Sequence, residues 1–408
     1  MASKVDRLIE KMKVKDFKLK SMLEITKAIN AEAPTEKLLG LFKQAAVEEL
    51  GIDKLLLFSF DESWKCILKI GVTDEIYDVK DQSLFHATNS ISLSTGTGSQ
   101  ESFDIVIPVH HNNVPIAYLL VGDLAEEEIK ISPAIKHMNY IQTLTNIIIV
   151  AIRNKSLALE NIAQQMMKKE LELAAELQQL LVPNKIESTD ELDAASFYKP
   201  HAQLGGDYYD FVTLADGRKM FCIADVSGKG VSAAFLMSNF QAHLRAIFSY
   251  TNQQLKDVVR DLNKKVNSSA MGEKYITMFI GLWNNKTREL VYINCGHNPP
   301  LLENGTENII ELTDGSLGLG MLEEIPSISE GSVFIKPNSR LVCFTDGLVE
   351  IENNQMQEFG IERVMEILEK NPTASSEQIN SRLITAVNNH RGEMPFMDDT
   401  AILTLRFT

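Results

Sequence analysis

The chain has 408 residues, enough for two or three domains, and its 44% hydrophobic and 23% charged content is that of an ordinary soluble protein. A formal charge of -15 and a pI near 5.1 argue against general nucleic-acid binding, which needs a basic surface. Cys66, Cys222, Cys295 and Cys343 form no C-x-x-C pair, and three of them sit in apolar strand-like runs, so buried reduced thiols are expected.

The first residues, Met1-Ala2-Ser3-Lys4-Val5, lack a signal-peptide apolar region, and the longest aliphatic run, 147–152, is far short of a bilayer span. A cytoplasmic protein without membrane contact is therefore expected. Leu8, Met12, Phe17, Leu19, Met22, Leu23, Ile25 and Ile29 recur at helical spacing. A second helix is predicted over 34–49, with Leu38, Leu39, Leu41, Phe42, Ala45 and Ala46 facing inward despite Gly40. Strands follow at 55–60 and 66–70, and the Ser/Thr/Gly-rich stretch 89–102 reads as a mobile loop. Residues 103–109 and 114–121 form a predicted hairpin with Asn112-Asn113 at its turn. Helices, an antiparallel sheet and a long exit helix make this section α+β. The order resembles a GAF domain, a small sensory module, over about residues 20–155. No metal, haem or cyclic-nucleotide signature accompanies the resemblance, so a ligand-free dimerising spacer stands beside a sensor for an unknown small-molecule or protein signal. The expected domain is 1–132.

Residues 134–182 contain no Gly or Pro and, if wholly helical, would extend about 70 Å. Leu159, Ile162, Met166, Leu173, Leu177 and Leu180 follow three- and four-residue steps, broken at Lys169. Such a stripe is either a coiled-coil seam or a helix lying on its own domain. A short seam in a parallel homodimer is the favoured reading, with 133–184 as the linker.

Beyond residue 195 the pattern changes to strands (221–226, 277–283, 290–294, 332–335, 340–344 and 401–407) and helices (231–250, 255–269, 361–370 and 376–389). Segregated strands and helices suggest two antiparallel sheets covered by helices, within a domain 185–408. Four aspartate sites fall at the turns: Gly205-Gly206-Asp207, Ala224-Asp225-Val226, Thr345-Asp346-Gly347 and Asp398-Asp399. A carboxylate beside a glycine at a strand end serves either a tight turn or a hard divalent cation. Four such sites point to a metal cluster, and the absence of clustered Cys and His disfavours zinc.

These residues also carry a resemblance. The segment Ala175-Glu176-Leu177-Gln178-Gln179-Leu180-Leu181-Val182-Pro183 is similar to the entry helix of SpoIIE-like (RsbU-type) phosphatases, members of the protein phosphatase 2C-like (PPM) family. The pattern continues through 205–210, 224–230 with Ala233-Ala234, Asn294-Cys295-Gly296-His297-Asn298-Pro299-Pro300, Phe344-Thr345-Asp346-Gly347 and Asp398-Asp399. It runs in order over about residues 170–408.

The resemblance implies an αββα sandwich and a metal-dependent protein serine/threonine phosphatase using two Mn²⁺ or Mg²⁺ ions. Asp207, Asp225 and Asp346 would be its catalytic carboxylates. Asp225 would bridge the ions, the Val226 carbonyl would add an oxygen, and Asp398 would bind the second ion with Asp399 behind it. Asp398-Asp399-Thr400-Ala401 stands where the family commonly has Asp-Asp-x-Thr, so Ala401 is a departure. The implied partner is a phosphorylated protein, by analogy a STAS-type anti-sigma-factor antagonist. A non-catalytic scaffold that keeps the fold is the alternative, as is a metal-dependent phosphodiesterase or nuclease, which the acidic charge disfavours.

Other residues carry two readings each. His297 could protonate a leaving group, but a histidine in such a turn more often orders the loop. Asp210 could support Asp207 or hydrogen-bond a turn. Ser227-Gly228-Lys229-Gly230 lacks P-loop spacing, and its glycines suit close backbone approach to a metal. Asp216-Gly217 and Asp314-Gly315 read as plain turns. The stretch 199–204 holds no arginine to grip phosphate, so poor activity on small phosphoesters is expected.

Overall fold

The computed structural model describes residues 4–61, 63–72, 92–93, 103, 105–112, 114–122, 133–183, 185–250, 253–270, 272–305 and 309–408. The chain folds as two compact units, Met1–Gln165 and Met166–Thr408.

In the first unit, helix α1 (Lys4–Asn30) precedes α2 (Thr35–Lys43). The expected second helix does not continue as an α-helix. Residues Gln44–Glu49 wind into a π-helix, whose wider turn packs the adjacent Ala45 and Ala46 together into the core. Strands β1 (Lys54–Asp61), β2 (Ser63–Ile70), β3 (Ser92–Leu93), β4 (Ile105–His111) and β5 (Val114–Gly122) form one sheet in the order β2-β1-β5-β4-β3. β4 and β5 pair antiparallel, and Asn112 at their turn has a left-handed φ of 48°. Asn113 lies outside the described residues, as does most of the expected loop 89–102. Ser92 and Leu93 of that stretch are strand, paired with β4.

Alternation decides which side chains meet which layer. Leu55 and Leu57 pack with Ile105, Ile107 and Leu119 against Ile25, Phe42, Ile141, Leu144 and Ile148 from the helices. Leu56, Phe58, Val106, Tyr118 and Leu120 form a second cluster on the other face.

Helix α3 (Pro133–Gln179) has 47 residues, about 70 Å of helix, and its early turns supply Tyr140 to Ile149 to the first unit's core. Leu159, Met166, Leu173 and Leu180, seven residues apart, are all more than half exposed, and so is Ile162.

The second unit has two sheets, antiparallel throughout except at one short strand. One contains β7 (Tyr208–Thr213), β8 (Lys219–Val226), β9 (Ile276–Asn284) and β10 (Glu289–Cys295), with short β13 (Gly315–Ser316), parallel, and β14 (Gly331–Phe334), antiparallel, on β10. The other runs β12 (Ile309–Glu311), β11 (Leu301–Glu303), β15 (Arg340–Phe344), β16 (Thr400–Phe407), β6 (Leu192–Lys199). Their facing sides meet in one apolar core, where Trp283 and Phe407 stack edge to face at 5.0 Å. Helices α4 (Val231–Tyr250) and α5 (Leu255–Ala270) cover the first sheet, through Leu236, Phe240, Val259 and Leu262. Beyond the short α6 (Asp346–Val349), helices α7 (Ile361–Glu369) and α8 (Ser376–Arg391) cover the second, through Val364, Leu368, Ile379 and Leu383. The layers are therefore helix, sheet, sheet, helix. Cys222, Cys295 and Cys343 are buried free thiols in β8, β10 and β15, and Cys66 is a half-buried one.

Among the described residues, no helix is long and apolar enough to cross a membrane.

Candidate functional site

The carboxylates converge at one end of the two sheets. Antiparallel pairing sets Tyr208 opposite Ala224, which brings Asp207, just before β7, beside Asp225 near the end of β8. Asp346 leaves β15, and Asp398 and Asp399 enter β16, the strand paired with β15. Thr345 ties these ends together. Its backbone N–H donates to the Ala401 carbonyl at 3.1 Å, and its hydroxyl accepts the Ala401 N–H at 2.8 Å. Gly347 is obligatory here, because a Cβ on it would lie 1.9 Å from the Asp399 carbonyl oxygen.

Electrostatics mark the cluster. Burial first, then Asp225 and Asp399, push the Asp207 carboxyl well above the usual carboxylate range. Burial, Asp346 and Asp398 push Asp225 up to about 7. Burial and Asp398 raise Asp346, which Lys229 opposes. The Asp207 Oδ2 atom is buried without a hydrogen-bond partner, a costly state for a carboxylate. Among the described residues no three His, Cys, Asp or Glu side chains yet gather tightly enough to hold an ion. The donor set nevertheless fits a hard divalent cation: crowded oxygen ligands, mutual repulsion and an orphaned oxygen that a positive charge would satisfy.

Asp398, at the edge of the cluster, is paired with a lysine. Lys229 Nζ lies 2.7 Å from its Oδ2 and donates to the Met397 carbonyl at 2.7 Å. Asp399 has both carboxylate oxygens on backbone, accepting His201 N–H at 2.7 Å and Gly206 N–H at 2.5 Å. It anchors the loop that delivers Asp207. Gly206, lacking a side chain, leaves space beside the Val226 carbonyl, which a Cβ would approach to 3.1 Å. The Ser227 turn is fixed by Tyr275 and by Lys274, which donates to the Ser227 carbonyl at 2.8 Å.

His297 is fully buried. Its Nδ1 lies 2.9 Å from Thr277 Oγ1, and its backbone is clamped by the Asn294 side chain at 2.8 and 3.0 Å. Burial lowers its pKa to about 4, so it is a neutral loop-ordering group at pH 7. Asp210 takes neither expected role. It is buried in a fork with Arg245 (2.8 and 3.0 Å) and accepts from the Tyr208 hydroxyl at 2.5 Å, fastening β7 to α4. Asp216-Gly217 is a plain turn, with Gly217 at φ 90°. Asp314-Gly315 is more, because Gly315 opens β13, parallel to β10, and Asp314 accepts from Tyr292 at 3.1 Å.

One contact to the Asp207 loop was not legible in the sequence. Gln178, in the last turn of α3, donates to the Gly205 carbonyl at 2.7 Å and accepts the Gly205 N–H at 3.3 Å. The linker helix thus grips the loop that carries Asp207. The only local signal was the pair of glutamines, Gln178 and Gln179, between the leucines of Leu-Gln-Gln-Leu-Leu.

Comparison with known proteins bears on this geometry. Residues 215–408 match the family "Stage II sporulation protein E (SpoIIE)". Protein IcfG of Synechocystis sp. is 26% identical over 333 residues, 73% of this chain and 52% of its own length. Phosphoserine phosphatase RsbU of Bacillus subtilis is 26% identical over 246 residues, 60% of this chain and 71% of its own. The chain thus spans about half the length of the first relative. Among solved structures, the SiaA-PP2C domain of Pseudomonas aeruginosa shares the fold at TM-score 0.53 and 19% identity, covering 60% of this chain and 99% of that one.

Proposed function

We propose, from the premise that the C-terminal half is a SpoIIE/PP2C-type phosphatase domain, that this chain is a signal-regulated phosphoprotein phosphatase acting on phosphoserine or phosphothreonine. The observation that carries the reading is the buried Asp207–Asp225 pair, flanked by Asp346 and Asp398 and left with an unpartnered oxygen. In this reading Asp207, Asp225, the Val226 carbonyl, Asp346 and Asp398 hold two Mn²⁺ or Mg²⁺ ions, and Asp399 positions the Asp207 loop. When bound, such ions supply an acidified water nucleophile and offset the phosphate charge. The chain's own groups do the rest. Strand pairing presets the carboxylates, Thr345 and Asp399 fix the strand ends, and neutral His297 braces the loop between β10 and β11. By the family analogy the phosphoprotein is of the STAS type.

The test is Mn²⁺-dependent phosphate release from a phosphoserine STAS-type protein, with Asp346→Asn as the paired control. Wild type should release phosphate, and the variant should lose on the order of a thousandfold in rate. Equal release by both, or none from wild type with that substrate, overturns the assignment.

Regulation would run through α3. The N-terminal unit acts as a GAF-like sensor, a reading its helix-and-sheet order supports. The exposed seven-residue stripe of Leu159, Met166, Leu173 and Leu180 supports a parallel homodimer. Signal state would then reseat the 170–181 helix, whose Gln178 holds Gly205. Gln178→Ala should lower turnover by about ten- to a hundredfold, the usual cost of losing an orienting partner. Unchanged steady-state kinetics would remove this contact from the regulatory route.

A further inference from the structure

The Lys229–Asp398 ion pair is unaccounted for by the carboxylate reading. Lys229 stands between Gly228 and Gly230, both at left-handed φ (81° and 79°), in a loop anchored at Ser227 by Lys274 and Tyr275. Its ammonium reaches across to the Met397 carbonyl and to the Asp398 carboxylate, each at 2.7 Å, and the second contact places a positive charge directly on one carboxylate of the cluster. That carboxylate would be needed for the second ion, so ammonium and ion compete for the same oxygen. A side chain on a short tether is an effective competitor, since it loses no translational freedom when it binds.

We propose that Lys229 is a positioning residue that serves as the resident counter-ion of Asp398: it holds this carboxylate through an ion pair and yields it only in exchange for a divalent cation. The proposal rests on the two-ion reading above. The exchange lowers affinity for the ion at Asp398 while keeping the loop ordered without it. Both partners are about half exposed, so the effect is that of a surface pair, a few-fold and screened by salt.

Calorimetric titration of the full chain with Mn²⁺, in the absence of substrate, tests this. Lys229→Met should bind the weaker ion about fivefold tighter than wild type, and Lys229→Arg should bind it as wild type does. In an Asp398→Asn background, Lys229→Met should change nothing. No tightening, or tightening that persists undiminished with Asp398→Asn, overturns the exchange, the latter because mere removal of a positive charge would suffice. A wild type that takes up no Mn²⁺ would overturn the metal-centre reading itself and the role of Lys229 with it. A wild type that binds while the variant is unchanged overturns only the latter.

Discussion

Replacing Asp207 by asparagine is expected to raise the melting temperature of the ion-free protein while lowering turnover on the order of a thousandfold. Burial and the neighbouring Asp225 and Asp399 disfavour a charge on Asp207, and its Oδ2 has no partner. The neutral amide removes that repulsion but also a ligand oxygen. Mn²⁺ should then stabilise wild type and leave the variant unmoved, because only a folded state that binds the ion gains from it. The pH dependence follows from the same repulsion. Asp225 is raised from 3.8 to about 7, so in this window the folded ion-free protein keeps a proton that the unfolded chain has released. That contribution is fully present below the unfolded pKa and is lost as pH rises through about 7. His297, lowered from 6.5 to about 4, acts oppositely: its stabilising contribution is present above 6.5 and lost as pH falls through about 4. The two slopes oppose one another in wild type. Asp225→Asn should make the fall in stability with pH shallower between about pH 4 and 7 without abolishing it, because Asp207 and Asp346, raised chiefly by burial, keep slopes of the same sign. Thermal melts in chelator across that range check both expectations. A lower ion-free melting point for Asp207→Asn, with the Mn²⁺ shift retained, would contradict the ligand assignment.

Arg340→Met is expected to cost about 3–5 kcal/mol, the usual penalty for breaking a buried ion pair from one side. The Arg340 side chain is completely buried. Its Nε donates to Glu303 at 2.6 Å, and its remaining nitrogens donate to the carbonyls of Leu368 (2.8 Å) and Asn371. It therefore joins β15 and β11 to the end of α7, closing the helical layer over the second sheet. The methionine would leave Glu303 and two helix-end carbonyls without their donor. For a unit of this size the loss corresponds to a fall of roughly 10 °C in melting temperature, measurable by calorimetry. Glu303→Gln with Arg340→Met should recover part of it, since the abandoned charge is then gone. A fall of only a degree or two would mean that water replaces the guanidinium.

The long strands and helices of the second unit were legible because their periodicity is strong. Residues 231–250 read as a helix and fold as Val231–Tyr250, and 340–344 as the strand Arg340–Phe344. Weak periodicity hid others. β11 and β12 have three residues each, too few to show alternation, and β7 continues directly from the Gly-Gly-Asp turn, which masked it. The π-helix at Gln44–Glu49 buries the same Ala45 and Ala46 that an α-helical reading turns inward, so the apolar pattern does not distinguish the two windings.

The sequence by itself determined the kind of chemistry available: carboxylates beside glycines at strand ends, no thiol or imidazole cluster, and an acidic surface. It also determined the long helix, because no residue from 134 to 182 breaks one. Only the tertiary structure decided what each acid does. Asp210 went to Arg245, Asp399 to two backbone amides almost two hundred residues earlier, and Asp398 to Lys229. A carboxylate's role is set by whichever donor or charge lies within about 3 Å of it, and that neighbour comes from sheet pairing and loop closure rather than from the residues beside it in the chain.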